Sequence, residues 1–149
     1  MLKITSTVHT TECRGRILVV DQDSWCREFL SQVIKLFGFG EFQMATSVAE
    51  ASTLLGEHSF DLLIADLNLP QYPDLLDEIR QRHPAMRLIG MLQQRSQVRH
   101  IIHMEQMEIV VKPLSLDEMA RKIREAILSK QRHKLDEDIY RLKHGAFRL

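Results

Sequence analysis

The stretch RILVVD, residues 16–21, indicates the fold class. Its apolar residues follow one another without a polar interruption and the run ends in an acid, as in a parallel strand that is covered on both faces. The stretch LLIAD, residues 62–66, repeats this pattern. Longer segments with apolar residues at helical spacing separate such runs, so the sequence predicts an α/β fold.

Capping residues and periodicity predict the other elements. Ser24 is a candidate N-cap for a helix that stops at Gly38, and Ser47 and Ser115 each precede a glutamate by three residues, which is the capping-box pattern. Residues 94–106 are the least determined part of the chain. Five strands joined by helices imply a doubly wound parallel sheet, whose ligands bind beyond the carboxyl ends of the strands. We predict strands at residues 16–21, 41–46, 62–66, 87–92 and 108–112, and helices that begin near residues 24, 47, 74 and 115.

The composition excludes several classes of protein. The 149 residues include 20 lysines and arginines and 20 aspartates and glutamates, so the net charge is zero and a dedicated nucleic-acid binder is not expected. No apolar run approaches the roughly 20 residues that span a bilayer, and the N-terminus has no apolar segment typical of a signal peptide. Cys13 and Cys26 are too few for a disulfide framework. We therefore expect a cytoplasmic protein with reduced thiols.

Charged residues follow several of the predicted strands. Asp21 and Asp23 follow the first strand, Asp66 ends the third and Lys112 ends the fifth. Because the carboxyl ends of parallel strands meet at one edge of the sheet, we expect the three acids to converge there. Carboxylate oxygens suit Mg²⁺, and a lysine opposite them supplies a positive charge for a phosphoryl oxygen. The alternative is that these acids cap helices or lie in solvated loops.

Three ordered motifs resemble the signatures of the response-regulator receiver domain. They are ILVVDQD at residues 17–23, DLLIADLNLP at 61–70 and VVKPLS at 110–115, and the resemblance covers about residues 15–130. It implies a flavodoxin-like sheet with strand order 2-1-3-4-5. It also implies a phosphorelay signalling protein, not an enzyme, that accepts a phosphoryl group from a histidine kinase or phosphotransfer protein and binds a downstream protein partner.

The resemblance also assigns roles to individual residues. By position in the motifs, Asp66 is the phosphoacceptor and Lys112 contacts the phosphoryl group. The expected ligands of Mg²⁺ are Asp21, Asp66 and the backbone carbonyl of Asn68. Asp23 is a further candidate ligand.

The sequence departs from the receiver pattern around this site. Gln22 stands where receivers carry a second acid, so Mg²⁺ is expected to bind weakly unless Asp23 compensates. The fourth strand ends GMLQQ, residues 90–94, without the usual threonine or serine, and Ile109 takes the place of the aromatic switch residue. The loop after Pro70 is short and lacks the usual glycine. A pseudo-receiver that binds partners without being phosphorylated is therefore the alternative within this fold.

Other residues suggest chemistry outside the receiver pattern. Asp21 and Asp23 match the Asp-x-Asp opening of haloacid-dehalogenase phosphatases, in which the first acid is a nucleophile and the second an acid–base group. That hypothesis requires further acids on a late strand, where this sequence has a valine and a lysine. No cysteine or third histidine lies close to His100 and His103 in the sequence, so zinc is not predicted. We expect Trp25 to belong to the packing surface of the first helix.

The C-terminal segment extends beyond the usual receiver length. We divide the chain into a polar N-terminal segment (1–14), a receiver domain (15–130) and a C-terminal helical extension (131–149). Leucines recur every seven residues, with Ile139 among them, at Leu128, Leu135, Leu142 and Leu149. Such a stripe indicates a helix folded back onto the domain, a helix that forms a homodimer or binds a partner, or a weak nucleic-acid contact.

Overall fold

The computed structural model describes residues 13–95, 97 and 107–145. The elements are β1 (Gly15–Val20), α1 (Ser24–Phe37), β2 (Gly40–Ala45), α2 (Val48–Glu57), β3 (Leu62–Asp66), α3 (Tyr72–Arg82), β4 (Arg87–Leu92), β5 (Met107–Val111) and α4 (Leu116–His144). All neighbouring strands are parallel. Their order is β2-β1-β3-β4-β5, so the predicted doubly wound sheet is confirmed.

The sheet buries two apolar layers, one on each face. β1 and β3 lie inside the sheet, and their aliphatic side chains alternate between the layers. One layer contains Ile17 and Ile64 and packs under α1 and α4, while the other contains Leu18 and Leu63 and packs under α2 and α3. Burial stabilises by about 25 cal/mol per Å² of apolar surface. The central strands are therefore firmly held, and so are the acids at their ends.

Side-chain caps explain where the helices begin. Ser47 and Ser115 each accept the backbone N–H three residues later, at 3.1 and 3.3 Å, so both predicted caps are confirmed. The predicted cap at Ser24 is wrong. Asp23 caps α1 instead, and its Oδ1 accepts the Trp25 N–H at 2.9 Å. Aspartate and serine are equally good N-caps, so the pattern does not distinguish two adjacent candidates.

Several element boundaries differ slightly from the prediction. β1, β2 and β5 each lie one residue earlier than expected, and α3 begins at Tyr72 with Pro73 in its first turn. Proline suits the first turn of a helix because the N–H that it lacks has no intrahelical acceptor there. These shifts leave the carboxyl edge of the sheet where the sequence places it.

The last helix, α4, continues beyond the sheet. Its first half buries Met119, Ile123 and Ile127 against the sheet. From residue 131 to residue 145 every residue is exposed, including Leu135 and Leu142. The fold-back interpretation of the leucine stripe is therefore wrong for the described part of the extension. The domain boundary expected at residue 130 falls inside one continuous helix.

Some sequence predictions fall outside the described residues. They concern residues 1–12, most of the stretch 94–106 with His100 and His103, and Leu149. Within the described ranges, no helix is apolar over a length that would cross a membrane.

Candidate functional site

The carboxyl edge of the sheet brings Asp21, Asp66 and Lys112 together. β1 and β3 are neighbours, with Val20 beside Ala65, so the acid that follows each of these residues lies beside the other. Lys112 follows β5 and reaches past the end of β4. Its Nζ lies 2.8 Å from Asp21 Oδ2 and 3.7 Å from Asp66 Oδ2. We call Asp21, Asp66 and Lys112 the acid–lysine cluster.

Burial and charge pairing set the protonation of Asp21 and Lys112. Asp21 and Asp66 are both buried. Burial by itself raises the pKa of Asp21, but the hydrogen bonds from Lys112 and from the Asp23 N–H outweigh it and hold the pKa below its ordinary value. Burial likewise opposes the charge of Lys112, yet its hydrogen bond to Asp21 and the nearby Asp66 raise the pKa of the amine above its ordinary value. Asp21 and Lys112 are therefore both charged at neutral pH.

Backbone and arginine contacts fix the loop after β1. The Asp23 N–H donates to Asp21 Oδ1 at 2.9 Å. Arg27 Nη1 donates to the backbone carbonyl oxygens of Asp21 and Gln22, at 2.7 and 2.9 Å. The sequence prediction missed Arg27, whose only signal is a cation one turn into the helix after an acidic loop. Arg27 thus positions the backbone that carries Asp21, while Gln22 itself is exposed.

Asp23 does not join the acid–lysine cluster. It is exposed, and its Oδ1 caps α1. Among the residues that the structure describes, no three acidic, histidine or cysteine side chains form a group that could hold a metal ion. The expected convergence of three acids therefore applies to Asp21 and Asp66 only. Asp23 has the capping role that was the alternative for these acids.

Both cysteines are free thiols. Burial, followed by a hydrogen bond with Asp21, raises the pKa of Cys26 to about 12. Burial also raises the pKa of Cys13, against the opposing charge of Arg124. Neither thiol is a thiolate at neutral pH, so neither is an activated nucleophile.

The loop after β3 places Asn68 beside Asp66. The backbone N–H and the side-chain Nδ2 of Asn68 donate to Asp66 Oδ1, at 2.9 and 3.3 Å. The other oxygen of Asp66, Oδ2, faces Lys112. Amide donors therefore hold one oxygen of this carboxylate, and a cation lies beside the other. Metal binding by the Asn68 carbonyl stays a prediction.

The end of β4 brings no hydroxyl group to the cluster. β4 ends at Leu92, which is buried, and Gln93 and Gln94 follow it. The backbone carbonyl of Leu92 accepts the Lys112 N–H at 2.8 Å, so this strand end lies directly beside the lysine. We call residues 92–94 the β4 end. It presents an aliphatic side chain and two amides where a receiver carries a hydroxyl.

A cleft of about 380 Å³ opens beside Lys112. Trp25 lines it and is 61% exposed, so the expectation that this ring packs on the domain is wrong. The ring instead stacks on Phe29 of its own helix, with centroids 5.5 Å apart. Trp25 is therefore a suitable fluorescent reporter for events at the cluster. The residues that line the cleft are Asp23, Trp25, Cys26, Gln93, Lys112, Pro113 and Leu114.

The chain is similar to receiver domains in sequence. The model of the response regulator receiver domain matches residues 17–124. The chemotaxis protein CheY of Bacillus subtilis (strain 168) is 28% identical over 116 residues, which cover 75% of this chain and 97% of that relative.

Solved structures share the fold. A response regulator receiver domain protein from Clostridium thermocellum has a TM-score of 0.69 at 27% identity and covers 78% of this chain and 97% of its own. NtrX from Brucella abortus, in complex with ADP, has a TM-score of 0.76 at 20% identity and covers 91% of this chain and 31% of its own, which supports the fold alone. Because the family match spans well over half of the chain and includes the strands that carry Asp21, Asp66 and Lys112, the protein belongs to the response regulator receiver domain family.

Proposed function

We propose that this receiver domain accepts a phosphoryl group on Asp66 and signals by binding a downstream protein. The donor is a histidine kinase or a phosphotransfer protein, and the domain acts in the cytoplasm as a signalling module, not as an enzyme. The observation that carries the proposal is the position of Lys112 Nζ between the Asp21 and Asp66 carboxylates. A partly buried cation beside a buried carboxylate is what an incoming anionic group requires.

The proposed transfer uses the two oxygens of Asp66 differently. A carboxylate oxygen forms a bond to phosphorus while the bond from phosphorus to the donor breaks, and the donor group leaves with the bonding electrons. Stabilising the charge on the phosphoryl oxygens is the main task of the protein in such a step. Lys112 Nζ, 3.7 Å from Asp66 Oδ2, is placed to bind one of the phosphoryl oxygens. The Asn68 donors hold Oδ1 and so orient the carboxylate.

The donor atoms around Asp66 suit Mg²⁺. The carboxylates of Asp21 and Asp66 and the backbone carbonyl of Asn68 are hard oxygen donors, which this ion prefers. Bound there, the ion would offset the negative charges of the carboxylates and the phosphoryl group. Gln22 adds no charge, and the Asp23 oxygen Oδ1 is engaged as a helix cap, so we expect weak binding.

Intact-mass measurement after incubation with Mg²⁺ and acetyl phosphate tests the proposal. We expect the wild type to gain one phosphoryl group and Asp66→Asn to gain none. Asp23→Asn is a matched control and should be labelled like the wild type, since asparagine caps a helix as well as aspartate does. An unlabelled wild type would contradict the phosphoacceptor role and leave the pseudo-receiver as the function. A labelled Asp66→Asn would contradict the role of Asp66 and place the label on another residue.

The phosphatase alternative has lost its support. It requires Asp23 as an acid–base group beside a nucleophilic Asp21, whereas Asp23 Oδ1 accepts the Trp25 N–H and caps α1. Membership in the receiver family points to Asp66 instead.

We further propose that the exposed half of α4 pairs with a second copy of the chain. Leu135 and Leu142 are 58% and 53% exposed, and Ile139 lies between them. Acids at residues 136–138 precede bases at 141 and 143, so an antiparallel partner places opposite charges side by side. Burying these side chains stabilises a dimer by about 0.8 kcal/mol per CH₂ group before the loss of entropy is counted.

Light scattering tests this pairing. The double variant Leu135→Asp with Leu142→Asp should be monomeric while it keeps the labelling of Asp66. A wild type that stays monomeric at high concentration would contradict the homodimer.

A further inference from the structure

Gln97 joins two loops at the carboxyl edge of the sheet. Its Oε1 accepts the backbone N–H groups of Gln93 and Gln94, at 3.1 and 3.0 Å. Its Nε2 donates to Asn68 Oδ1 at 2.8 Å. One side-chain amide therefore ties the segment after β4 to the loop after β3. We call these three hydrogen bonds the Gln97 bridge.

Asn68 connects the Gln97 bridge to Asp66. The Asn68 Nδ2 that donates to Asp66 Oδ1 and the Oδ1 that accepts from Gln97 belong to one planar amide. When the Nδ2 of this amide turns to a new partner, its Oδ1 moves as well, so the contact with Gln97 changes. Asp66 is buried, whereas Gln93 and Gln94 are exposed. The chain of hydrogen bonds thus leads from the buried acid to the protein surface.

We propose that Gln97 is a positioning residue that couples the state of Asp66 to the exposed segment Gln93–Gln94. In the unmodified protein the Gln97 bridge holds this segment against the β3 loop. A phosphoryl group on Asp66 opens the bridge and frees the segment for a partner. This last step rests on the proposed function, while the coupling between Asp66 and the bridge does not.

The opening follows from the acceptors that Asn68 meets. When a bond forms from Asp66 to phosphorus, the carboxylate loses its charge, and the charged phosphoryl oxygens become the stronger acceptors. The Asn68 Nδ2 turns to them, so its Oδ1 leaves Gln97. The Gln97 side chain then loses the contact that fixes it to the β3 loop, while the Gln97 backbone N–H keeps its bond to the Gln94 carbonyl at 3.1 Å. The freed side chain turns away, and the N–H groups of Gln93 and Gln94 lose their shared acceptor.

Amide hydrogen exchange at Gln93 and Gln94, followed by NMR, reports on the bridge. Gln97→Met keeps the length of the side chain but removes its amide. Its exchange rate at Gln93 and Gln94 is the reference for a protein in which the bridge is open. We expect wild-type exchange to be about fivefold slower than in this variant, the effect of one hydrogen bond. After modification of Asp66 with beryllium trifluoride and Mg²⁺, a stable stand-in for the phosphoryl group, the wild type should exchange at the open-bridge rate. Full protection in the modified wild type overturns the proposal.

The coupling also has a reciprocal consequence. If modification opens the bridge, then Gln97→Met, which has no bridge to open, should bind beryllium trifluoride about fivefold more tightly than the wild type. A residue that only supports the loop would leave this affinity unchanged or weaken it, and either result overturns the coupling.

Asp66→Ala tests the relay without any phosphoryl group. Loss of Asp66 Oδ1 releases Asn68, so exchange at Gln93 and Gln94 should rise above the wild-type value. Unchanged exchange overturns the relay. If acetyl phosphate labels nothing but Asp66→Ala still raises exchange, the proposed function fails while the relay stands.

Discussion

The acid–lysine cluster and the β4 end lie side by side at one edge of the sheet, yet polar groups are largely buried in the first and exposed in the second. The cluster buries charges that bond one another, with Lys112 Nζ 2.8 Å from Asp21 Oδ2. The β4 end buries the aliphatic Leu92 and exposes two amides. On the first side the two acids and the lysine that match the family's motifs meet, although Gln22 stands in place of a further acid, and the second side has no hydroxyl.

Physical interdependence makes the two sides unequally sensitive to substitution. Removing one member of a buried ion pair leaves the other charge without a partner, which is strongly destabilising. Replacing a single hydroxyl by an alkyl group leaves no charge unpaired. A single substitution in the acid–lysine cluster is therefore expected to cost more stability than a single substitution at the β4 end.

Removal of Lys112 is the most severe test of this difference. Lys112→Met leaves Asp21 buried without its cation, so we expect the free energy of unfolding at pH 7 to fall by about 3 kcal/mol in urea denaturation. Labelling by acetyl phosphate should slow about a hundredfold, as when a charge-stabilising donor is deleted. Lys130→Met is the control, since Lys130 pairs with Asp61 at a half-exposed site and should contribute about 1 kcal/mol or less.

The effect of Lys112→Met depends on pH with a definite sign. In the wild type the lowered pKa of Asp21 stabilises the folded protein at pH values above the pKa that this group has in the unfolded chain. This stability is lost as the pH falls through the pKa of Asp21 in the folded protein. In the variant, burial is opposed only by the hydrogen bonds from the Asp23 N–H and Cys26, so the pKa of Asp21 rises and lowering the pH costs the variant less stability than the wild type. The difference in unfolding free energy should shrink between pH 7 and pH 4. A constant difference would mean that Asp21 does not depend on Lys112.

Gln22→Asp adds a negative charge beside the acid–lysine cluster and leaves the β4 end unchanged. A further carboxylate near the proposed ligands should lower the half-saturating concentration of Mg²⁺ about tenfold, which corresponds to about 1.4 kcal/mol. Trp25 fluorescence measures it, since this ring lines the cleft beside Lys112. Gln22→Asn, which has the shape of the aspartate without its charge, should respond like the wild type. A response of the wild type at lower Mg²⁺ than Gln22→Asp would contradict the proposed site.

The fold and the position of the acid–lysine cluster were predictable because both follow from continuous apolar strands. Runs such as residues 16–21 and 62–66 specify buried parallel strands, and strand ends specify where Asp21 and Asp66 meet. The sequence leaves the role of Asp23 open, since an acid after a strand serves equally as a metal ligand and as a helix cap. Only the observed hydrogen bond to the Trp25 N–H places it in the second role.

Contacts that depend on side-chain direction were not predictable. Arg27 and Gln97 follow no periodic or motif pattern, and each acts through hydrogen bonds to residues that a loop places nearby. The leucine stripe of α4 predicts a helix correctly, but its period does not say what covers the apolar face. For the same reason the sequence predicts a packing role for Trp25, whereas the ring stacks on Phe29 and remains exposed.

Leu92→Thr restores to the β4 end the hydroxyl that it lacks, and we expect the smallest effect from it. Leu92→Val is the matched control, because valine and threonine have the same shape and differ only in the hydroxyl. Both variants lose part of the buried leucine side chain, so both are less stable than the wild type. The ratio of their labelling rates therefore isolates the effect of the hydroxyl. One hydrogen bond to a phosphoryl oxygen stabilises by about 1 kcal/mol, so acetyl phosphate should label Leu92→Thr about fivefold faster than Leu92→Val. Equal rates would mean that the β4 end lies too far from Asp66 to assist the transfer, and the missing hydroxyl would then not explain any difference from other receivers.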